Sequence, residues 1–173
     1  MKQLMAGAVG VVLALGVLAS VAMSAPGESG ASARAFAERL IRALNDTTSG
    51  PGDWEHLGRH GGYDPSFVRL MDENDRLAKG VDLLDADPLC QCQDTGGHYR
   101  LVSLSQTGPD DGSARIADED GAVTAVLKRS SVGWRVYDVV DASGSFRANL
   151  IRHNACMRTY HTDAKQVRCF GGH

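Results

Sequence analysis

The sequence has no excess of positive charge, and this absence excludes one broad class of function. It holds 18 lysines and arginines against 21 aspartates and glutamates, a formal net charge of −3. Proteins that bind nucleic acid concentrate positive charge on one surface, because they must neutralise phosphates. We therefore expect no nucleic-acid partner. The sequence also lacks internal repeats and low-complexity blocks, so we expect one domain with one core.

Only one long apolar run is present, and it lies at the start of the sequence. Lys2 precedes an apolar stretch from Leu4 to Met23, and small residues follow it. A positive start, an apolar centre and a small-residue end are typical of a secretory signal. We expect residues 1–24 to be a cleaved signal peptide, with an uncleaved membrane anchor as the alternative. The mature protein is then expected in the periplasm or secreted, with no membrane association after cleavage.

The first half of the mature chain has helical periodicity. Ser32 is typical of a helix cap, and the apolar residues that follow it form one stripe as far as about Leu44. Asp64 and Pro65 are typical of the start of a second helix, whose apolar face ends at Gly80. The charged residues between those apolar positions predict a solvated outer face.

The second half changes to alternating apolar and polar residues, which predicts strands. We expect four strands, at residues 98–106, 115–117, 122–129 and 134–140. In the last strand, regular alternation places Trp134, Val136 and Val140 on one face with Asp138, and Tyr137 and Val139 on the other. Turn chemistry between the strands makes them antiparallel.

These patterns predict an α+β domain in which N-terminal helices pack on one face of a four-stranded antiparallel sheet. We place a flexible lead-in at residues 25–32, this domain at 33–152 and a C-terminal tail at 153–173. Ser143 or Ser145 is expected to cap a short final helix through Leu150 and Ile151.

Four cysteines in an exported chain are expected to be paired, and three connectivities are open. The favoured pairing joins Cys156 to Cys169 and Cys90 to Cys92. The first bond closes a polar tail and contributes about 3 kcal/mol by the chain-entropy argument. The second closes a small ring that must be strained. The other two connectivities join the Cys90–Cys92 pair to the tail.

Two alternatives to structural disulfides remain. The Cys90–Cys92 pair has a redox interpretation, although exchange motifs usually space their thiols by two residues. His153, Cys156, Cys169 and His173 have a spacing that resembles a tetrahedral zinc site. Because an oxidising compartment favours the disulfide, we expect no metal and no cofactor.

The segment that carries the cysteine pair is also the most distinctive stretch of the sequence. The residue order LLDADPLCQCQD, followed by GWRVYDVVD and SFRANL, resembles the bacterial envelope family called domain of unknown function 3828. That family is similar to the nuclear-transport-factor-2-like superfamily. The resemblance implies a curved sheet wrapped by N-terminal helices into a cone with an open pocket, and a possible homodimer. It implies no reaction.

Nine residues are candidates for lining a pocket or holding the corner at the cysteine pair. They are Asp85, Asp87, Gln91, Gln93, Asp94, Tyr99, Trp134, Tyr137 and Asp138. The corner carboxylates and amides have a structural interpretation, in which they satisfy backbone groups at a tight bend. Trp134 is expected in the core. On a regular strand Tyr137 and Asp138 lie on opposite faces, so they do not share one pocket.

No residue spacing joins these groups into a catalytic motif. We therefore expect a non-enzymatic exported binding or interaction protein, whose partner is an unknown envelope protein or a small ligand. An inhibitor or immunity protein is one version of this function. The alternative is an isomerase or dehydratase that uses the pocket, with His98, Tyr99, Tyr137 and Asp138 as candidate acids and bases.

Overall fold

The computed structural model describes residues 32–46, 61–78, 87–90, 98–160 and 169. Within these residues it contains three helices and five strands. The helices are α1 (Ala33–Leu44), α2 (Pro65–Ala78) and α3 (Phe146–Thr159), and the strands are β1 (Arg100–Gln106), β2 (Asp111–Ala117), β3 (Ala122–Ser130), β4 (Gly133–Asp141) and β5 (Gly144–Ser145). The α+β class is confirmed. No helix in the described ranges is long and apolar enough to cross a membrane. The expected signal peptide and all of the expected lead-in except Ser32 lie outside the described residues, which begin at Ser32.

Helix α1 follows its sequence pattern closely. The Ser32 hydroxyl oxygen accepts a hydrogen bond from the Ala35 amide at 3.1 Å, as expected of an N-cap. The apolar stripe is buried: Ala33, Phe36, Ala37, Leu40 and Leu44. The helix therefore lies with this face against the sheet, in the layer order that the sequence predicts.

The five strands form one antiparallel sheet in the order β1-β2-β3-β4-β5. The expectation of four strands is wrong by one, because β5 is a two-residue strand that pairs back onto the end of β4. Gly144 makes this reversal possible, since its φ of +107° lies in the region that side chains rarely adopt. Ser145 then serves as the N-cap of α3.

Strand β4 contains a β-bulge that the alternation pattern does not indicate. Val126 of β3 pairs with Asp138, whereas the next residue, Leu127, pairs with Val136. Tyr137 is therefore the extra residue on β4.

The bulge changes which β4 residues face the core. Trp134 and Val136 are buried as expected, but the next buried residue is Val139 and not Val140. The predicted face assignment is wrong after Val136. Tyr137 and Asp138 are both half-buried and, as shown below, both contact Arg147.

A second irregularity lies on β1, at the edge of the sheet. Leu101 pairs with Ile116 and Ser103 pairs with Arg115, so Val102 is the extra residue. Its side chain is 51% exposed. The central strands β2 and β3 pair without interruption.

Helix α3 is longer than expected. It extends to Thr159, beyond the predicted end at Ile151, and packs against α2. Four of its side chains are buried: Leu150, His153, Asn154 and Met157. Near its end, Cys156 is joined to Cys169 by a disulfide, with the two Cα atoms 5.8 Å apart. This confirms the first half of the favoured pairing.

Candidate functional site

An open cleft lies between the corner at residues 87–90 and the end of the β2–β3 hairpin. Its volume is about 190 Å³, which is smaller than a typical small-molecule site. Leu89, Ile116 and Val123 contribute apolar wall, and Asp118 and Asp120 contribute carboxylates. Tyr99 and Cys90 also line the cleft.

Tyr99 is fixed in this cleft by hydrogen bonds at both of its ends. Its backbone is held by the Asn45 side chain, which accepts from the Tyr99 amide at 2.7 Å and donates to the Tyr99 carbonyl at 2.8 Å. Its hydroxyl donates to the Cys90 carbonyl at 3.3 Å. Burial, reinforced by the negative charges of Asp118, Asp87 and Asp120, raises the pKa of the Tyr99 phenol. Tyr99 is thus a neutral phenol at neutral pH.

Asp118, which lines the cleft, and Asp87, at the adjoining corner, both hold backbone in place. The Asp118 carboxylate accepts from the amides of Asp120 at 3.0 Å and Gly121 at 2.8 Å, and so closes the β2–β3 turn. The Asp87 carboxylate accepts from the Tyr63 hydroxyl at 2.7 Å and from the Leu89 amide at 2.8 Å. Asp87 therefore has the corner-holding interactions that the structural interpretation describes.

The other corner candidates, and Cys92, lie outside the described residues. These residues are Asp85, Gln91, Cys92, Gln93 and Asp94. Cys90 is disulfide-bonded, but its partner also lies outside them, so the Cys90–Cys92 bond stays a prediction.

Tyr137 and Asp138 belong to a different cluster, which we call the Arg147 cluster: Asp64, Ser66, Tyr137, Asp138 and Arg147. The guanidinium of Arg147 lies 4.1 Å from the centre of the Tyr137 ring. It donates to the Tyr137 carbonyl at 3.1 Å and to the Ser66 hydroxyl at 2.7 Å. Arg147 therefore joins the start of α2, the bulge of β4 and the start of α3.

Asp138 acts on the first turn of α3. Its carboxylate accepts from the Arg147 amide at 2.9 Å and from the Ser145 hydroxyl at 2.7 Å, while Ser145 itself accepts from the Ala148 amide at 2.9 Å. The first amides of a helix have no partner within the helix, and a negative charge there is favourable. The β-bulge places Asp138 where it satisfies them.

Asp64 has the equivalent position at the start of α2. Its carboxylate accepts from the Ser66 amide at 2.8 Å and from the Ser66 hydroxyl, which confirms it as the cap. Burial by itself would raise the pKa of Asp64, because it disfavours the charged carboxylate. The two Ser66 hydrogen bonds and the charges of Arg147 and Arg69 outweigh burial, so the pKa lies below its ordinary value.

A second polar cluster is buried between α2 and α3, and we call it the helix seam: Asn74, His153 and Asn154. The Asn74 amide nitrogen lies 2.8 Å from His153 Nδ1 and donates to the Asn154 side-chain oxygen at 2.8 Å. The Asn154 amide nitrogen donates to the Leu70 carbonyl at 2.9 Å. These three side chains are at most 5% exposed.

The hydrogen bonds of the helix seam fix the tautomer of His153. Because Asn154 donates to Leu70, its oxygen faces Asn74, and Asn74 must present its NH₂ group to both neighbours. His153 Nδ1 then accepts, so the neutral ring carries its proton on Nε2. Burial lowers the pKa of His153, and protonation at Nδ1 would set two donors against each other.

Two sequence expectations about these residues have direct outcomes. Trp134 is in the core, 4% exposed. The zinc set loses its sulfur ligands, because Cys156 and Cys169 are bonded to each other and not present as thiolates. His153 is turned toward Asn74, and His173 lies outside the described residues. Within those residues no three metal-binding side chains come together.

Sequence reasoning missed Arg147, Ser66 and Asn74, which make polar contacts with residues far away along the chain. Their roles depend on partners about 80 residues away and leave no local pattern. Asp64, by contrast, was recognisable from the Asp-Pro start of α2.

The comparisons with known proteins add nothing to this geometry, since no family model, curated protein or solved structure matches the chain. The resemblance to the envelope family stays a prediction.

Proposed function

We propose that this is an exported, non-enzymatic binding or interaction protein and that the cleft beside Tyr99 and Cys90 receives part of its partner. The signal-like N-terminus and the disulfide support an oxidising compartment outside the cytoplasm. The open-cone shape and a homodimer, both implied by the resemblance, are part of the same proposal, as is the inhibitor or immunity version.

One observation carries the proposal: three of the four candidate acids and bases, all but His98, are engaged in holding the fold. The Tyr99 hydroxyl is bonded to the Cys90 carbonyl, and the Asp138 carboxylate caps α3. Tyr137 stacks on Arg147. A proton-transfer pair needs two groups within reach of the same substrate atom. Tyr137 and Asp138 do not line the cleft that holds Tyr99.

The experiment is site-specific photocrosslinking in the native host. A crosslinking residue replaces Asp120, on the cleft, or Val132, at the tip of the β3–β4 hairpin and 58% exposed. These hairpins lie at opposite ends of the sheet, so the second position is a matched control. We expect a defined crosslinked species from position 120 and none from position 132. Identical products from both positions, or none from either, would reject the proposal.

A second candidate rests on the cleft itself, where a phenol and carboxylates occur together. This is the minimum for an isomerase or dehydratase that uses Tyr99 as the acid. The substitution Tyr99→Phe separates the two functions, because it removes the acidic proton and keeps the ring. The binding proposal expects the crosslink at position 120 to persist. Loss of a turnover that the unmodified protein supports would establish the enzyme instead.

A further inference from the structure

Two cations, Lys128 of β3 and Arg147 at the start of α3, lie against the Tyr137 ring of β4. Lys128 and Arg135 are directly opposite each other on β3 and β4. Like charges in this relation destabilise a sheet unless something compensates them. The Lys128 ammonium lies 4.5 Å from the centre of the Tyr137 ring, and the Arg147 guanidinium lies 4.1 Å from it. One aromatic ring thus serves two full positive charges.

The carboxylates near these cations are engaged elsewhere or too exposed to neutralise them. Lys128 has Asp111 at 3.9 Å, in a pair whose side chains are 47% and 59% exposed, and such pairs contribute little. Arg147 forms no ion pair with a described carboxylate. Asp138 and Asp64 direct their oxygens at amides and hydroxyls, and the charge of Arg147 acts on Asp64 only as one of several influences that lower its pKa.

Hydrogen-bond donors are correspondingly in excess. A guanidinium has five N–H groups, and the described bonds of Arg147 go only to the neutral acceptors Tyr137 and Ser66. Arg135 donates to its neighbouring Trp134 carbonyl at 2.7 Å. The edge of an aromatic ring is its positive side, and cations occupy the face. An anion beside the Tyr137 ring would therefore meet the positive ring edge and the free N–H groups of the neighbouring cations.

We propose that Lys128 of β3 and Arg147 of α3, which both lie against the Tyr137 ring, form an anion-binding site together with Arg135, the residue opposite Lys128 on β4, and that this site takes a carboxylate or phosphate group. This site is separate from the cleft and does not depend on the function proposed for it. Arg147 supplies the planar donor pair that suits both oxyanions, and Lys128 supplies a mobile point charge.

The test is an NMR titration of the intact, disulfide-bonded protein at constant ionic strength. The probes are inorganic phosphate and a hexaglutamate peptide, with chloride as the balancing anion. We expect the amide signals of residues 128, 135 and 147 to move with at least one probe. A response to phosphate alone identifies a phosphate site, and a response to hexaglutamate alone identifies a carboxylate-bearing partner.

Matched variants establish whether the response is specific. Lys128→Gln and Arg135→Gln remove one charge each at the site, and each should weaken binding about tenfold. Arg42→Gln removes one exposed charge from α1 and should leave binding unchanged. Equal weakening by all three variants, or no shift with either probe, would overturn the proposal. The NMR spectrum of each variant without a probe serves as the check that the variant is folded: it should match that of the unsubstituted protein away from the changed residue.

Discussion

The molecule has two polar clusters that join its helices to their neighbours, and they differ in how they meet water. The helix seam is at most 5% exposed and uses only neutral groups, two amides and an imidazole. The Arg147 cluster is half-buried and uses charged groups, Arg147, Asp138 and Asp64. Full burial of a charge is costly unless it is paired, whereas water lowers that cost at the surface. The extent of burial therefore determines whether neutral or charged side chains join a helix to its neighbours.

The largest effect is expected from the substitution Asn74→Ala, which tests whether the fully buried helix seam contributes more to stability than the Arg147 cluster. It removes the two hydrogen bonds that Asn74 donates and leaves His153 Nδ1 and the Asn154 oxygen buried without this partner. We expect a loss of roughly 3 kcal/mol in the free energy of unfolding, measured by urea denaturation with the disulfides intact. The matched control is Asn149→Ala on α3, which is half-buried and should change stability by about 0.5 kcal/mol or less. Equal effects would mean that the seam has no special role.

The corresponding test of the Arg147 cluster is Asp138→Ala. It removes the acceptor for the Arg147 amide and the Ser145 hydroxyl at the start of α3. We expect a loss of about 2 kcal/mol by the same measurement, less than in the seam, since water can replace part of the lost bonding. Asp138→Asn keeps one acceptor oxygen and should lose less than the alanine variant. If the alanine variant is the less damaging of the two, Asp138 is not a helix cap.

The two clusters should also respond to acid in separate pH ranges. The pKa of His153 is lowered from 6.5 in the folded protein, because burial disfavours its charged form. The unfolded chain therefore binds more protons as the pH falls below 6.5, and stability decreases, by no more than about 1.4 kcal/mol per pH unit for one proton. His153→Gln should remove this slope.

Asp64 contributes to acid sensitivity only at lower pH. Its folded pKa lies below 3.8, so its stabilisation is present above that pH and is lost as the pH falls further through the folded pKa. Asp64→Asn should flatten the stability curve in that lower range and leave the range near 6.5 unchanged. Urea midpoints from pH 3 to 8 measure both effects. A curve unchanged by either substitution would show that the clusters do not control the acid response.

The smallest effect is expected from an exposed ion pair that joins α2 to α3, the two helices that the helix seam also connects. Arg158 donates to the Glu73 carboxylate at 2.6 Å and 2.9 Å, and the Arg158 side chain is 56% exposed. Glu73→Gln should cost no more than about 0.5 kcal/mol, and the difference should vanish in 1 M NaCl. A loss as large as that of Asn74→Ala would contradict the rule that burial sets the strength of these contacts.

Local patterns in the sequence predicted the elements more reliably than the contacts between them. The cap at Ser32 and the stripe of α1 are properties of neighbouring residues, and both are confirmed. The extension of α3 past Ile151 was missed, because His153 and Asn154 look like surface residues until Asn74 is known to lie opposite them.

The candidate site was only partly accessible for the same reason. Tyr99 was identified as a pocket residue and lines the cleft, but no local pattern marks Asp118 and Asp120, in the β2–β3 turn, as its neighbours there. The faces of Asp138, Val139 and Val140 were wrong because a β-bulge depends on the pairing register with β3, which one strand's alternation does not encode.

The edge strand β1 has a consequence for how this protein behaves in a crowded solution. A long, flat edge invites a second molecule to add its own strand, and repeated addition leads to aggregates. The displaced Val102 interrupts the ladder of β1 in its first half, so only the short run Ser103–Gln106 continues in register. Serines and a glutamine make that run polar as well. The bulge and these polar side chains therefore oppose templated growth along the β1 edge.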